Sequence, residues 1–92
     1  MRPLHPNSDY LLAFDRFMEA QGTPENTRKS YHNFIRRLSE FLGAKNFLEV
    51  SRFDLSEFRG FLYRQKFSDG SMASAVFALR KFYDFLSMGE GI

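Results

Sequence analysis

Hydrophobic residues recur every three or four positions in four stretches of the chain, which is the spacing of one buried face of an α-helix. The predicted helices cover residues 9–20, 24–42, 52–66 and 69–86. β-Branched residues are few, and no run alternates between apolar and polar positions, so no strand is expected. The pattern therefore predicts an all-α domain of four helices.

Residues that favour helix ends stand at the predicted boundaries. Side chains that can accept a hydrogen bond from a helix backbone mark three N-caps: Ser8, Thr23 and Ser68. Ser51 and Asp54 have the spacing of a capping box at the start of the third helix. Gly22 and Gly43 follow the first two helices, where glycine readily takes the left-handed conformation that ends a helix.

Three further features lead to expectations about packing. Residues 44–50 are predicted to connect the second and third helices, with Phe47, Leu48 and Val50 on the core. Gly60 lies inside the third helix, where glycine is unfavourable, and this predicts a close approach by another helix. Phe77 lies opposite the apolar stripe of the fourth helix, so burial and contact with a partner are both open.

The composition agrees with one small folded domain. The chain has 92 residues, 43% of them hydrophobic and 26% charged, which are ordinary values for such a domain. The absence of cysteine excludes a disulfide framework, a thiolate zinc site and a cysteine nucleophile. No apolar run is long enough to span a membrane, and no signal peptide is recognisable, so a cytoplasmic protein without membrane contact is expected.

The titratable residues show no arrangement typical of catalysis or metal binding. His5 and His32 lie far apart, and His32 is interpreted as a surface residue of the second helix. Asp15 and Glu19 share a helix face, which is interpreted as an ordinary solvated surface. We therefore expect no metal, no cofactor and no enzymatic activity of the chain itself.

One face of the second helix combines cations with short amide and hydroxyl side chains. Residues 26–37 contain four basic residues and no acidic one. The outward positions of this helix are Asn26, Lys29, Ser30, Asn33, Arg36 and Arg37. Cations neutralise phosphates while short polar side chains set the register, so this face fits a nucleic-acid backbone. A plain solvated helix surface can have the same composition, and that alternative stays open.

Three segments together resemble the core-binding domain of tyrosine recombinases, the phage integrases and their chromosome-dimer-resolving relatives. Residues 24–31 resemble the Asn-Thr…Tyr signature that opens the second helix of that domain. Residues 48–55 resemble its connector and third-helix start, and residues 78–86 resemble its Ala-Leu-Arg-x-Phe-Tyr-x-Phe-Leu ending. The resemblance implies a four-helix, SAM-like orthogonal bundle that clamps one side of duplex DNA.

The resemblance also implies which residues contact DNA, since the second and fourth helices of that family approach the major groove. The implied positions are Asn26, Thr27, Lys29, Ser30, Gly70, Ser71, Ser74 and Lys81. The family usually has long or basic side chains around Ser74 and Ala75, an acid at Phe34 and arginine at His32. Contacts to base edges from the fourth helix should therefore be few, and recognition should rest on the backbone, apolar contacts and DNA shape.

The family's catalytic residues, a tyrosine nucleophile with an Arg, a Lys, a His-x-x-Arg and a further His or Trp, have no counterpart in this chain. In that family they belong to a separate C-terminal domain. The expected organisation is a flexible arm at residues 1–7, the core-binding domain at 8–88, and the start of a linker at 89–92. The expected fragment is monomeric and non-catalytic, with double-stranded DNA and neighbouring protomers on that DNA as partners.

A protein-interaction module of the same architecture is the alternative. In that case Phe53, Phe67 and Phe77 would form an exposed patch for a partner protein.

Overall fold

The computed structural model describes residues 6–89, which form four α-helices, one short 3₁₀ helix and no strand. The helices are α1 (Pro6–Ala20), α2 (Glu25–Leu42), α3 (Arg52–Arg64) and α4 (Asp69–Gly89), and the 3₁₀ helix (Phe47–Glu49) lies between α2 and α3. The all-α, four-helix prediction is confirmed. Residues 1–5, with His5 and most of the predicted arm, and residues 90–92 of the predicted linker lie outside the described residues.

Phe82 of α4 lies at the centre of the hydrophobic core. Its ring meets Phe14 of α1 and Phe47 of the connector nearly edge-on, with centroids 5.1 and 4.7 Å apart. All three side chains are fully buried. Ala75 and Ala78 are also buried on α4, and their small side chains let neighbouring helices approach closely. Among the helix pairs, α2 and α4 pack most extensively.

The first helix begins earlier than the sequence predicts. Asn7, assigned to the flexible arm, lies within α1 and is buried. Its Oδ1 accepts a hydrogen bond from the Phe47 N–H at 2.9 Å, and its Nδ2 donates to the Lys45 carbonyl at 3.0 Å. These bonds tie the start of α1 to the connector. Ser8 is therefore a residue inside the helix, and its assignment as N-cap was wrong.

The turn between α1 and α2 differs from the prediction at one residue. Pro24 occupies the N-cap of α2 and no side chain caps this end, so the assignment of Thr23 as N-cap was wrong. The Thr23 carbonyl instead accepts a hydrogen bond from Arg28 Nε at 3.1 Å. Gly22 and Gly43 follow α1 and α2 as predicted, and both have a positive φ, of 78° and 66°, which glycine adopts more readily than other residues.

The connector from α2 to α3 is organised by two capping boxes. The predicted box of Ser51 and Asp54 is present, and a second one, of Asn46 and Glu49, starts the 3₁₀ helix. The backbone N–H of Ser51 and the nearby Lys45 ammonium hold the pKa of Asp54 below its usual value. Phe47 is buried as predicted and Val50 is half-buried.

Leu48 is 61% exposed, so its predicted place on the core was wrong. The 3₁₀ helix is too short to bury more than one side, and Phe47 occupies that side.

Two expectations about α3 and α4 also need correction. A Cβ on Gly60 would meet only the Arg64 guanidinium, at 3.3 Å, so no other helix approaches this glycine. α4 continues to Gly89, beyond the predicted end near residue 86, and includes the first residue of the predicted linker. The Ser71 N–H donates to Ser68 Oγ at 3.1 Å, in agreement with Ser68 as the N-cap of α4.

Within residues 6–89, no helix combines the length and hydropathy that crossing a bilayer requires.

Candidate nucleic-acid interface

The two faces of α2 divide as the helical pattern predicts. Phe34, Ile35 and Leu38 are buried on the inner face. The outward residues that are exposed to solvent are Asn26, Lys29, Asn33, Arg36 and Arg37. Thr27 and Ser30 are half-buried beside them. The structure thus places the cations and amides of this face in solvent.

Two of the three outward cations of α2 form weak ion pairs with acidic residues of the same helix. Lys29 Nζ lies 3.3 Å from Glu25, and Arg36 Nη1 lies 2.8 Å from Glu40. Exposed pairs at this spacing contribute about 0.3–0.5 kcal/mol each, so a phosphate can displace the carboxylate at small cost. The two cations therefore remain able to bind an anion.

Arg37 differs because its guanidinium lies over an aromatic ring. Its Cζ is 5.3 Å from the centroid of Phe67, and within residues 6–89 it forms no ion pair. The ring restricts the side chain by a cation–π contact while leaving all of its charge uncompensated. Arg37 is thus the cation of α2 that is best prepared to meet a phosphate.

The candidate residues of α4 are less exposed than those of α2. Gly70 is exposed, whereas Ser71, Ser74 and Lys81 are half-buried. Lys81 Nζ donates to Gln21 Oε1 at 2.9 Å and lies 5.8 Å from the Phe17 ring centroid. The ammonium of Lys81 is therefore held beside the turn between α1 and α2.

Two contacts show how the candidate faces of α2 and α4 are related. Phe67, just before α4, packs on Phe34 in the second half of α2, with ring centroids 6.0 Å apart. Lys81, in the second half of α4, reaches Gln21 just before α2. The candidate residues of α2 and α4 therefore lie on two helices that pack directly against each other.

Phe77 lies among the candidate residues of α4, three residues after Ser74 and four before Lys81. Its side chain is 56% exposed, which decides the open question against burial. Phe53 is 71% exposed at the start of α3, but Phe67 is only half-exposed because it packs between Phe34 and Arg37. Of the three phenylalanines in the predicted patch, two are therefore exposed.

His32 has a partner that the sequence did not reveal. Its Nδ1 lies 2.8 and 3.0 Å from the two carboxylate oxygens of Asp15 on α1. The assignments of His32 and Asp15 to ordinary solvated surfaces were therefore incomplete. The pair is separated by 17 residues and is formed by the packing of α1 on α2, so no local pattern could have indicated it.

An open cleft of about 420 Å³ lies beside this pair. Its lining residues are Asp15, Arg28, Lys29, His32 and Asn33. The cleft extends the cationic surface of α2 toward α1. No group of His, Asp and Glu in residues 6–89 has an arrangement that could hold a metal ion.

One comparison with known proteins agrees with this architecture. The family model of the phage integrase N-terminal SAM-like domain matches residues 10–87, which include α2, α3 and most of α1 and α4. Comparison with curated proteins and with solved structures gave no significant match. The matched region of the integrase family is not itself catalytic. Since this match covers most of the sequence, the chain belongs to the family of phage integrase N-terminal SAM-like domains.

Proposed function

We propose that this chain is the core-binding domain of a tyrosine site-specific recombinase and that it binds duplex DNA through α2 and α4. In this proposal it holds the recombination site while a separate C-terminal domain cuts the strand. The observation that carries the proposal is the solvent-exposed, cationic face of α2, with an Arg37 guanidinium that no carboxylate of residues 6–89 pairs with. Family membership supports the same function.

The expected binding mode follows from the side chains available. Lys29, Arg36 and Arg37 can neutralise phosphates, and Asn26 and Asn33 can donate hydrogen bonds to phosphate oxygens. With three or four phosphate contacts, log K should fall with log salt at a slope of about −3, and affinity should be about 10⁻⁴–10⁻⁶ M. The isolated domain should therefore bind weakly and lose the DNA readily as salt rises.

Base recognition by α4 should contribute little in this proposal. Ser71 and Ser74 are short and half-buried, and the Ser71 hydroxyl accepts a hydrogen bond from Ser68 Oγ at 3.2 Å. Side chains of this length reach few base edges in the major groove. Phe77 can add an apolar contact, for example with a thymine methyl group.

The test is an NMR titration of the ¹⁵N-labelled domain with a duplex of about 20 base pairs at several salt concentrations. We expect amide shifts on the outward faces of α2 and α4. The double variant Lys29→Ala/Arg37→Ala should bind less tightly and reduce the salt slope by about 2 without a change in melting temperature.

Arg16→Ala/Arg64→Ala is the matched control, because it removes the same charge from exposed positions of α1 and α3. Equal losses of affinity in both double variants would show that only net charge matters and would contradict the assignment. Shifts that avoid α2 and α4 would contradict it as well.

The alternative of a protein-interaction module is favoured by one observation, the exposure of the large apolar side chains Phe53 and Phe77. Apolar association is insensitive to salt, whereas phosphate binding is not. Sedimentation of the domain at low and high salt therefore separates the two functions. Concentration-dependent association that persists at high salt, without binding to DNA, would establish the alternative.

A further inference from the structure

A groove runs between α3 and α4. Two adjoining cavities of about 370 and 310 Å³ form it, and they share Ser56 and Arg59 of α3. The α3 wall is one helical stripe that extends from Arg52 to Tyr63. Eleven helical steps span roughly 17 Å, which is enough to accommodate three turns of a second helix.

The floor of the groove is apolar. Leu55 of α3 and Met72 and Val76 of α4 are half-buried along it, and Leu79 remains 7% exposed. Tyr83 also lines the groove, and its hydroxyl donates a hydrogen bond to the Phe47 carbonyl at 3.1 Å. A floor of this kind gains stability from covering by other apolar side chains.

The rim of the groove is positively charged. Arg52, Arg59 and Arg80 are all exposed there, and within residues 6–89 none of them forms an ion pair. Asp84 is the single acidic residue among those that line the two cavities. The rim is therefore complementary to an acidic partner.

Gly60 supplies a separate argument for a partner in this groove. It lies in the α3 stripe, where glycine weakens a helix relative to alanine. The only described group near a Cβ at this position is the end of the Arg64 side chain, so packing within the domain does not require glycine. Glycine does permit the backbone of a docked partner to approach closely.

We propose that the α3–α4 groove binds an acidic amphipathic helix of a partner protein. The apolar face of that helix covers the floor, and its carboxylates pair with Arg52, Arg59 and Arg80. Duplex DNA fits these observations less well, because it offers phosphates to the rim but no apolar side chains to the floor.

The groove is distinct from the proposed DNA-binding face. At 100° per residue, Val76 and Tyr83 lie on α4 roughly opposite Ser74, with the buried stripe of Ala75 and Phe82 between them. The inference therefore does not depend on DNA binding, and both ligands can occupy the domain together.

The test uses a fluorescein-labelled helical peptide of about 18 residues, with leucines on one face and glutamates on the other. A second peptide with lysine at each glutamate position is the control. We expect saturable anisotropy changes with the acidic peptide only, and NMR shifts confined to the residues that line the groove. Arg59→Glu/Arg80→Glu should weaken binding about tenfold or more, since two attractive pairs become repulsive.

Arg16→Glu/Lys66→Glu is the matched control, with the same charge reversal at exposed positions of α1 and of the turn after α3 that line neither cavity, and it should bind the acidic peptide within about twofold of the wild type. Gly60→Leu should also weaken binding by filling the groove, although its melting temperature should not fall below that of the wild type. No binding up to about 1 mM, equal binding of both peptides, or shifts elsewhere would overturn the proposal. Duplex DNA that shifts the groove residues and competes with the peptide would overturn it in favour of a nucleic-acid site.

Discussion

Asn7 offers the most direct test of how the start of α1 is held. It is 1% exposed, and its amide joins α1 to the connector by bonds of 2.9 Å from the Phe47 N–H and 3.0 Å to the Lys45 carbonyl. Asn7→Ala removes these two bonds, worth about 1 kcal/mol each, together with a longer one of 3.5 Å from Nδ2 to Ser39 Oγ. It also leaves the buried N–H of Phe47 without this partner, which adds about 1–3 kcal/mol. The better helix propensity of alanine offsets about 0.5 kcal/mol. We expect a net loss of about 2.5–4.5 kcal/mol in the free energy of unfolding.

Urea unfolding followed by circular dichroism measures this loss, and the slope with denaturant should stay unchanged. Asn33→Ala is the matched control, because it makes the same chemical change at an exposed position of α2 and should alter stability by no more than about 0.5 kcal/mol. If the two variants were equally stable, the Asn7 amide would not be holding the helix to the connector, and the reasoning would be refuted.

Three further predictions concern the core, the groove and the capping box. Leu79→Ala should destabilise the domain by about 2–5 kcal/mol in urea unfolding, because Leu79 is only 7% exposed; a change near zero would contradict its place in the core. Gly60→Ala should raise stability by up to about 1 kcal/mol, because the new Cβ meets only the flexible end of Arg64; a lower melting temperature would show a close neighbour. Because the pKa of Asp54 is lowered, its bond from the Ser51 N–H stabilises the fold fully at pH values above the ordinary pKa of 3.8. This contribution is lost as the pH falls through the lowered pKa. Melting temperatures of Asp54→Asn should accordingly vary less between neutral and acidic pH than those of the wild type, and parallel curves would contradict this.

Local patterns in the sequence were sufficient for most of the helix boundaries. The capping box of Ser51 and Asp54 and the glycines after α1 and α2 were predicted and are present. The error at the start of α1 occurred because a distant contact outweighed the local preference. α1 begins before Ser8 because Asn7 has hydrogen-bond partners about 40 residues away, and no helix propensity contains that information.

The candidate site also has some features that the local pattern predicts and others that it does not. The helical period alone placed Asn26, Lys29 and Arg37 on the outward face of α2, and the structure exposes all three. The exposure of Phe77 could not be predicted, because it depends on whether another element covers that side of α4. The residues proposed to contact DNA remain predictions until a titration tests them.

By itself, the sequence determined the all-α class, the number of helices and the inward and outward faces of α2. These depend on the spacing of residues along one helix, which is a local property. Only the tertiary structure decided that His32 pairs with Asp15, that Arg37 lies over Phe67, and that Gly60 opens onto a groove. Each of these results from how two separate segments pack, and packing is a sum of many distant contacts that no local pattern contains.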